Sequence, residues 1–324
     1  PARPALAEAT TDLLRADVDR ALEAGLDLLR LHAHVTDEAF YRAADEAGLL
    51  VWQDMPLTRG YARGVRRQAA RQARKAVEQL GHHPSVVVWC GHDEPLPLDV
   101  APGEASGPEE LQRRTGRTVA VQQLPTWNKT VLDRTVKRAL DKADGTRPVI
   151  PHSGVWPHPP TLDGTDSHLW FGWLYGRVDD LVAFATRLPR MVRWVGSFGA
   201  QSVPDSADFA DPDAWPALDW DHLAAHHGLR RGFLEQWVDP TEHADFDGWR
   251  RATQAHQADL VRTQVETLRR LKYRPTGGFC LSAFADAGPS ISTAVLDHER
   301  RPKTAHAALV EACRPVILVA DPLG

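Results

Sequence analysis

Continuous apolar runs alternate with helix-period stretches along most of the 324 residues. Such runs are strands buried on both faces, and strand–helix repeats place them in a parallel sheet with helices outside it. Polar side chains crowd just past the carboxyl ends of the runs, where barrels of this kind carry their chemistry. These observations predict an α/β fold, a (β/α)8 barrel, built as a single domain over residues 1–324. Seven strands can be counted, near 28–32, 49–53, 85–90, 147–151, 165–169, 191–196 and 278–283. A closed barrel has eight. The first clear element is a helix, so the expectation is that strand one precedes Pro1 and is absent from this chain. An open doubly wound sheet is the competing architecture. It usually carries a glycine-rich phosphate loop after its first strand, and neither GxGxxG nor GxxxxGK[ST] is present.

The elements follow in order. "LLRADVDRALEAG" is amphipathic and stops at Gly25, a helix with its cap. "LDLLRLHAH" is a short strand. "TDEAFYRAADEAG" starts on Thr36 as N-cap and ends at Gly48. "LLVWQD" is a strand, "VRRQAARQARKAVEQLG" a long basic helix with a solvated face, and "PSVVVWCGHDEP" a second fully buried strand. Residues 101–124, rich in Gly, Pro and charge, read as an extended loop. Thr126–Asp144 is helical and "TRPVIPHS" a strand. "GTDSHLWFGW" is a short strand or strand end. "DDLVAFATRLP" is a helix leading into the strand "RMVRWVGSFG". Phe246–Tyr273 is a long helix, "GGFCLSAFAD" the last strand and "PKTAHAALVEACRP" the last helix.

The totals exclude several classes. A net charge of -5 argues against a nucleic-acid binder, which needs a basic surface for phosphates. The three cysteines, Cys90, Cys280 and Cys313, form no close pair, which argues against a disulfide framework and a thiolate zinc site. No apolar stretch approaches 18 residues, so no membrane-spanning helix is expected. No signal peptide is visible, which favours a cytoplasmic location for a chain that opens at Pro1.

The strand ends offer His32 and His34; Gln53 and Asp54; His92, Asp93 and Glu94; His152; Asp166 and His168; Ser197; and Asp286. Glu94 is the sharpest candidate. It ends an apolar strand, and desolvation at a barrel mouth raises a carboxyl's pKa, which suits a general acid. No spacing among the histidines supplies a metal ligand set, and His82 and His83, at the other end of their strand, read as structural. Of the eleven tryptophans, Trp52, Trp156, Trp170 and Trp173 sit beside loop-like residues, where aromatic faces suit sugar rings. "RWVGSFGAQS" is the odd stretch: a strand end shaped for chemistry that presents Ser197 with no adjacent base.

Several stretches, in order, resemble glycoside hydrolase family 2, the retaining β-glycosidases, and most nearly its β-mannosidase-like branch. "LDLLRLHAHVTDEAFYRAADEAGLLVWQDMP" is similar to the family's N-x-x-R-x-H/W and LVWQD block. "HHPSVVVWCGHDEP" is similar to its acid/base block, HPS-x-x-x-W-C-x-x-NE. "RWVGSFGAQS" is similar to its nucleophile block, F-V-S-E-F/Y-G-x-Q-S. "GGFCLSAFADAGPSISTAVLDHERRPKTAHAAL" is similar to its closing strand and helix.

The resemblance implies a (β/α)8 barrel, a carbohydrate ligand and no cofactor; some relatives bind Mg²⁺ or Na⁺, but no ligand cluster in this sequence requires either metal. It also implies N-terminal β-sandwich domains of the same protein as partners of the barrel. It places the acid/base on Glu94 and the covalent nucleophile on position 197, which is Ser197 here. The family's Asn before the acid/base, which meets the sugar 2-hydroxyl, is Asp93. That change removes an amide donor and places a second negative charge beside Glu94. Asp93, His32, His168, Gln201, Trp156, Trp170 and Trp173 are the implied substrate contacts. Three accounts follow: a glycosidase disabled by serine at its nucleophile, an inactive carbohydrate-binding or scaffold homologue, or a redesigned barrel hosting another reaction.

Overall fold

The computed structural model describes residues 3, 8–95, 124–155 and 166–320. All seven expected strands are present. β1 (Leu28–Leu31), β2 (Leu50–Asp54), β3 (Val86–Cys90) and β4 (Val149–Ile150) form one parallel sheet in that order. β5 (Ser167–His168), β6 (Trp194–Ser197) and β7 (Gly278–Phe279) form a second parallel sheet. Among the described residues no ladder joins β4 to β5 or β7 to β1. The parallel α/β architecture holds, and among the described residues the strands form two sheets rather than one continuous arc of the expected barrel.

Side chains link the two sheets instead. Period-2 alternation turns Leu29 and Leu31 toward the helices and Arg30 inward. On β2, Val51 packs in the same cluster as Leu31, while Trp52 and Asp54 meet Arg30 inside. The Arg30 guanidinium reaches across to the Gly196 carbonyl of β6 at 3.2 Å, and the Trp52 and Trp194 rings lie 5.7 Å apart. Cys280, just past β7, has its thiol pushed up to about 12 by burial, and it feels the charges of Arg30, Asp166 and Asp54. The two sheets therefore surround one polar interior.

The outer layer is α1 (Thr11–Glu23), α2 (Glu38–Ala47), α3 (Arg66–Leu80), α4 (Asp133–Ala143), α5 (Asp180–Arg187), α6 (Trp220–His227), α7 (Arg231–Leu234), α8 (Phe246–Arg270) and α9 (Thr304–Ala312). One apolar cluster lies between α1–α4 and the first sheet, a second between α5, α8, α9 and the other, and Phe284 touches both. Four details differ from the sequence reading. The N-cap of α2 is Asp37, whose carboxylate takes the Ala39 amide at 2.8 Å, rather than Thr36. A wide π-type turn, Trp127–Leu132, precedes α4, and α6 and α7 had no clear sequence signal. β7 is only two residues long by ladder pairing, although Cys280 and Ser282 still donate to Val195 and Phe198 carbonyls at 2.8 and 2.9 Å.

Buried glutamines on α8 set the loops after β6. Gln257 donates to the carbonyls of Ala200, Thr293 and Ala294 and accepts from Ser202, while Gln254 donates to the Val203 carbonyl. A buried backbone carbonyl left without a donor costs about 1–3 kcal/mol. These amides therefore hold an irregular chain in place where no ladder can.

Candidate active site

Arg30 is the hub of the interior. Its side chain is 6% exposed and takes Asp54 with both Nε and Nη2, the shortest contact being 2.7 Å. The same Nη2 donates to Asp93 Oδ1 at 2.7 Å, and Nη1 approaches His168 Nε2 at 3.2 Å. Asp54 is saturated further by Trp52 Nε1 at 2.7 Å and the Ala33 amide at 3.3 Å. Asp93 also accepts from His32 at 2.8 Å and Thr58 at 3.2 Å. Burial alone would raise the Asp93 pKa, but the His32 hydrogen bond and the Arg30 charge hold it well below the usual carboxylate range. The Asp93 carboxylate is thus shared between Arg30 and His32.

Glu94 follows directly. Its backbone lies at φ 41°, a left-handed conformation that costs a non-glycine residue on the order of 1–3 kcal/mol. The Glu94 amide is held by the Ser153 carbonyl at 3.0 Å. Its Oε1 lies 2.8 Å from His168 Nδ1, and the side chain keeps 29% of its surface open. A carboxylate only accepts, so Nδ1 carries the proton. Nε2 then accepts from Arg30 Nη1 in the neutral ring, and in the protonated ring it faces Ser153 Oγ at 3.1 Å and Asp166 at 3.6 Å. Burial would lower the His168 pKa, but Glu94 first, then Asp166 and Asp93, lift it above its ordinary value.

Two glycines make room for this network. A Cβ on Gly196 would lie 1.9 Å from Asp166 Oδ2, and one on Gly154 would lie 2.4 Å from the His168 ring and 2.9 Å from Glu94 Cγ. Gly154 also needs its φ of 75°. Ser197 ends β6 and is the ladder partner of His168 on β5. Ser197 and Glu94 thus share His168 as a neighbour. Among the described residues nothing hydrogen-bonds Ser197 Oγ, so its hydroxyl is unassisted.

The other sequence candidates divide. Gln201 gives its amide to the Gly228 and Ile291 carbonyls at 2.7 and 2.9 Å and accepts from the Arg230 amide at 2.9 Å, so it holds loops together. Trp173 is 1% exposed and packs on Phe233 in the core, whereas Trp170 is half-buried. Trp156 lies outside the described residues. His92 is buried on the Arg59 carbonyl at 2.7 Å and its pKa is lowered to about 4 by burial. His152 pairs with Asp133, Gln53 with Tyr41, and Asp286 with Ser292.

Sequence reasoning missed Arg30, Ser153 and the rim arginines. A lone charge inside the apolar run "LLRL" was the available signal for Arg30, because a buried charge needs a partner. The Arg59 amide is fixed by the Asp93 carbonyl at 2.9 Å, and the charges of Arg59 and Glu94 both act on Arg230. These rim positions had no sequence signal.

The chain and its fold are similar to several known proteins. No family model matches the chain. It is 27% identical over 320 residues to β-mannosidase B of Thermothelomyces thermophilus, covering 86% of this chain and 34% of that protein. It is 27% identical over 309 residues to β-mannosidase B of Emericella nidulans, covering 87% and 34%. The chain thus spans about a third of the length of these relatives. The crystal structure of a β-D-mannosidase from Dictyoglomus thermophilum superposes with a TM-score of 0.72 at 20% identity, covering 100% of this chain and 39% of that one. Bacteroides uniformis β-glucuronidase 2 superposes with a TM-score of 0.62 at 18% identity, covering 95% and 33%. These likenesses support a domain similar to those of the family 2 glycosidases.

Proposed function

We propose that this chain is the barrel of a retaining β-glycosidase of the family 2 type. In this reading it takes β-mannoside-like substrates, with Glu94 as acid/base and Ser197 standing where the nucleophile belongs. The observation that carries the reading is the convergence of Glu94 and Ser197 on His168, from the ends of β3, β6 and β5. In such enzymes one carboxyl protonates the leaving oxygen while the other attacks the anomeric carbon, the two lying about 5–5.5 Å apart. Glu94 supplies the first role. His168 fixes its Oε1, and the open part of its side chain faces a ligand. Ser197 cannot supply the second. An alcohol is un-ionised near pH 7 and attacks only with a base beside it. Nor does it bring the negative charge that steadies an oxocarbenium-like transition state. Hydrolysis is therefore impaired, while sugar binding is retained.

The test is to assay the protein, with any further domains it carries, on aryl β-mannosides, β-glucosides, β-galactosides and β-glucuronides, alongside Ser197→Glu. The parent should be nearly inert and the variant should gain at least about 10³-fold in kcat/KM on β-mannosides. Parent hydrolysis that survives Glu94→Gln would overturn the assignment. Absence of turnover in both proteins, with oligosaccharide binding seen by calorimetry, would favour a carbohydrate-binding homologue instead.

A further inference from the structure

At the amino end of β3, the other end of the strand from Glu94, the loop carrying His82 and His83 packs on α2. Residues 38, 41 and 45 of α2 fall on one helical face at i, i+3 and i+7. The His83 ring lies over Tyr41, centroids 5.3 Å apart at 29°, and gives its Nδ1 to Asp45 Oδ2 at 2.6 Å. His83 is 2% exposed, and its Nε2 has no hydrogen-bond partner. The His82 ring lies 4.0 Å from that of His83. One ligand atom each from Glu38, His82 and His83 falls within 4.8 Å of the others. Both hydrogen bonds from Arg42 land on Glu38 Oε1, which leaves Oε2 for a ligand.

We propose that Glu38, His82 and His83 form a divalent-cation site suited to zinc, with Asp45 orienting His83. A buried imidazole nitrogen without a partner is costly, and something must favour keeping it. With Nδ1 given to Asp45, Nε2 is the His83 nitrogen left for a ligand. A cation satisfies all three side chains. Two imidazoles and a carboxylate are the donors zinc takes at about 2.0–2.2 Å, with a fourth position left to water. A carboxylate behind a ligating histidine fixes its tautomer and raises its basicity. Tetrahedral ligands at that range sit about 3.4 Å apart. Glu38 and His82, the two ligands that would move to close the observed spacing, are both exposed. The bound ion would tie α2 to the start of β3 and so stabilise the folded chain.

Metal-stripped protein is titrated with zinc chloride by calorimetry, and Tm is followed with zinc and with magnesium. Cobalt substitution is read by visible absorption. The expected result is one saturable zinc site, a Tm rise with zinc but not magnesium, and a tetrahedral cobalt spectrum. His82→Ala and Glu38→Gln, exposed positions whose loss leaves the fold intact, should each weaken zinc at least about 10-fold, and Asp45→Asn about 10–100-fold. Zinc affinity unchanged in His82→Ala and Glu38→Gln, or no saturable binding up to about 100 µM, would overturn the site.

Discussion

Replacing Arg30 by Met keeps the stem and removes the charge that Asp54 and Asp93 share. The side chains of those two carboxylates are 0% and 3% exposed, so neither recovers water when its partner goes. Cutting one member out of a buried ion pair costs about 3–5 kcal/mol, because the remaining charge is stranded. Asp54 keeps its Trp52 and Ala33 donors and Asp93 keeps His32 and Thr58, which holds the loss within that range rather than doubling it. The unfolding entropy of a chain of 324 residues is about 0.7 kcal/mol/K, so Tm should fall by about 4–7 °C at pH 7. The pH dependence has a definite sign. In the parent the folded Asp93 pKa is depressed, so its stabilisation is present above the unfolded value and lost as pH falls through the folded one. Without Arg30 the folded pKa rises, protonation comes earlier, and the difference from the parent should shrink toward pH 4. Differential scanning calorimetry from pH 4 to pH 8 reads both effects. A Tm drop below about 1 °C at pH 7, or one that grows on acidification, would refute the view of Arg30 as the charge hub.

Three further outcomes follow from the same geometry. His92 has a folded pKa of about 4 against an ordinary 6.5, so the folded state binds fewer protons in between. Stability should therefore fall as pH drops through that window, by up to about 3 kcal/mol, and His92→Gln should flatten the Tm–pH curve there. Gly196→Ala drives a methyl into the Asp166 carboxylate and should cost about 1–3 kcal/mol by thermal melting, whereas Gly145→Ala, with nothing near its Cβ, should be close to neutral. Asp93→Asn introduces the residue of the motif that this stretch resembles, yet Arg30 and His32 each use one Asp93 oxygen, and an amide offers only one. Urea unfolding should show a loss of about 1–3 kcal/mol, and a neutral result would mean that His32 does not donate to Asp93.

Strands, helices and their order were legible because each is written in neighbouring residues: apolar runs for strands on both-sided burial, helical periodicity ended by glycine, and a turn residue between them. The same local text carried the motif blocks around Glu94 and Ser197, and so the likeness to a family 2 glycosidase domain. It could not reveal that His168 joins the two positions, because His168 lies 74 residues from Glu94 and meets it only when β5 and β3 turn their ends to one interior. Nor could it say that Gln201 would be spent on loop carbonyls and Trp173 on the core, since a polar amide or an indole reads the same in a chain whether it faces a ligand or a neighbour. Arg30 marks the boundary between the two kinds of knowledge. Its charge inside an apolar strand was a signal, passed over in the sequence, that a partner must exist. Only the folded sheets, curving Asp54, Asp93, His168 and Gly196 around one guanidinium, decided which partners, because buried charge is neutralised over a few ångströms of space and not along the chain.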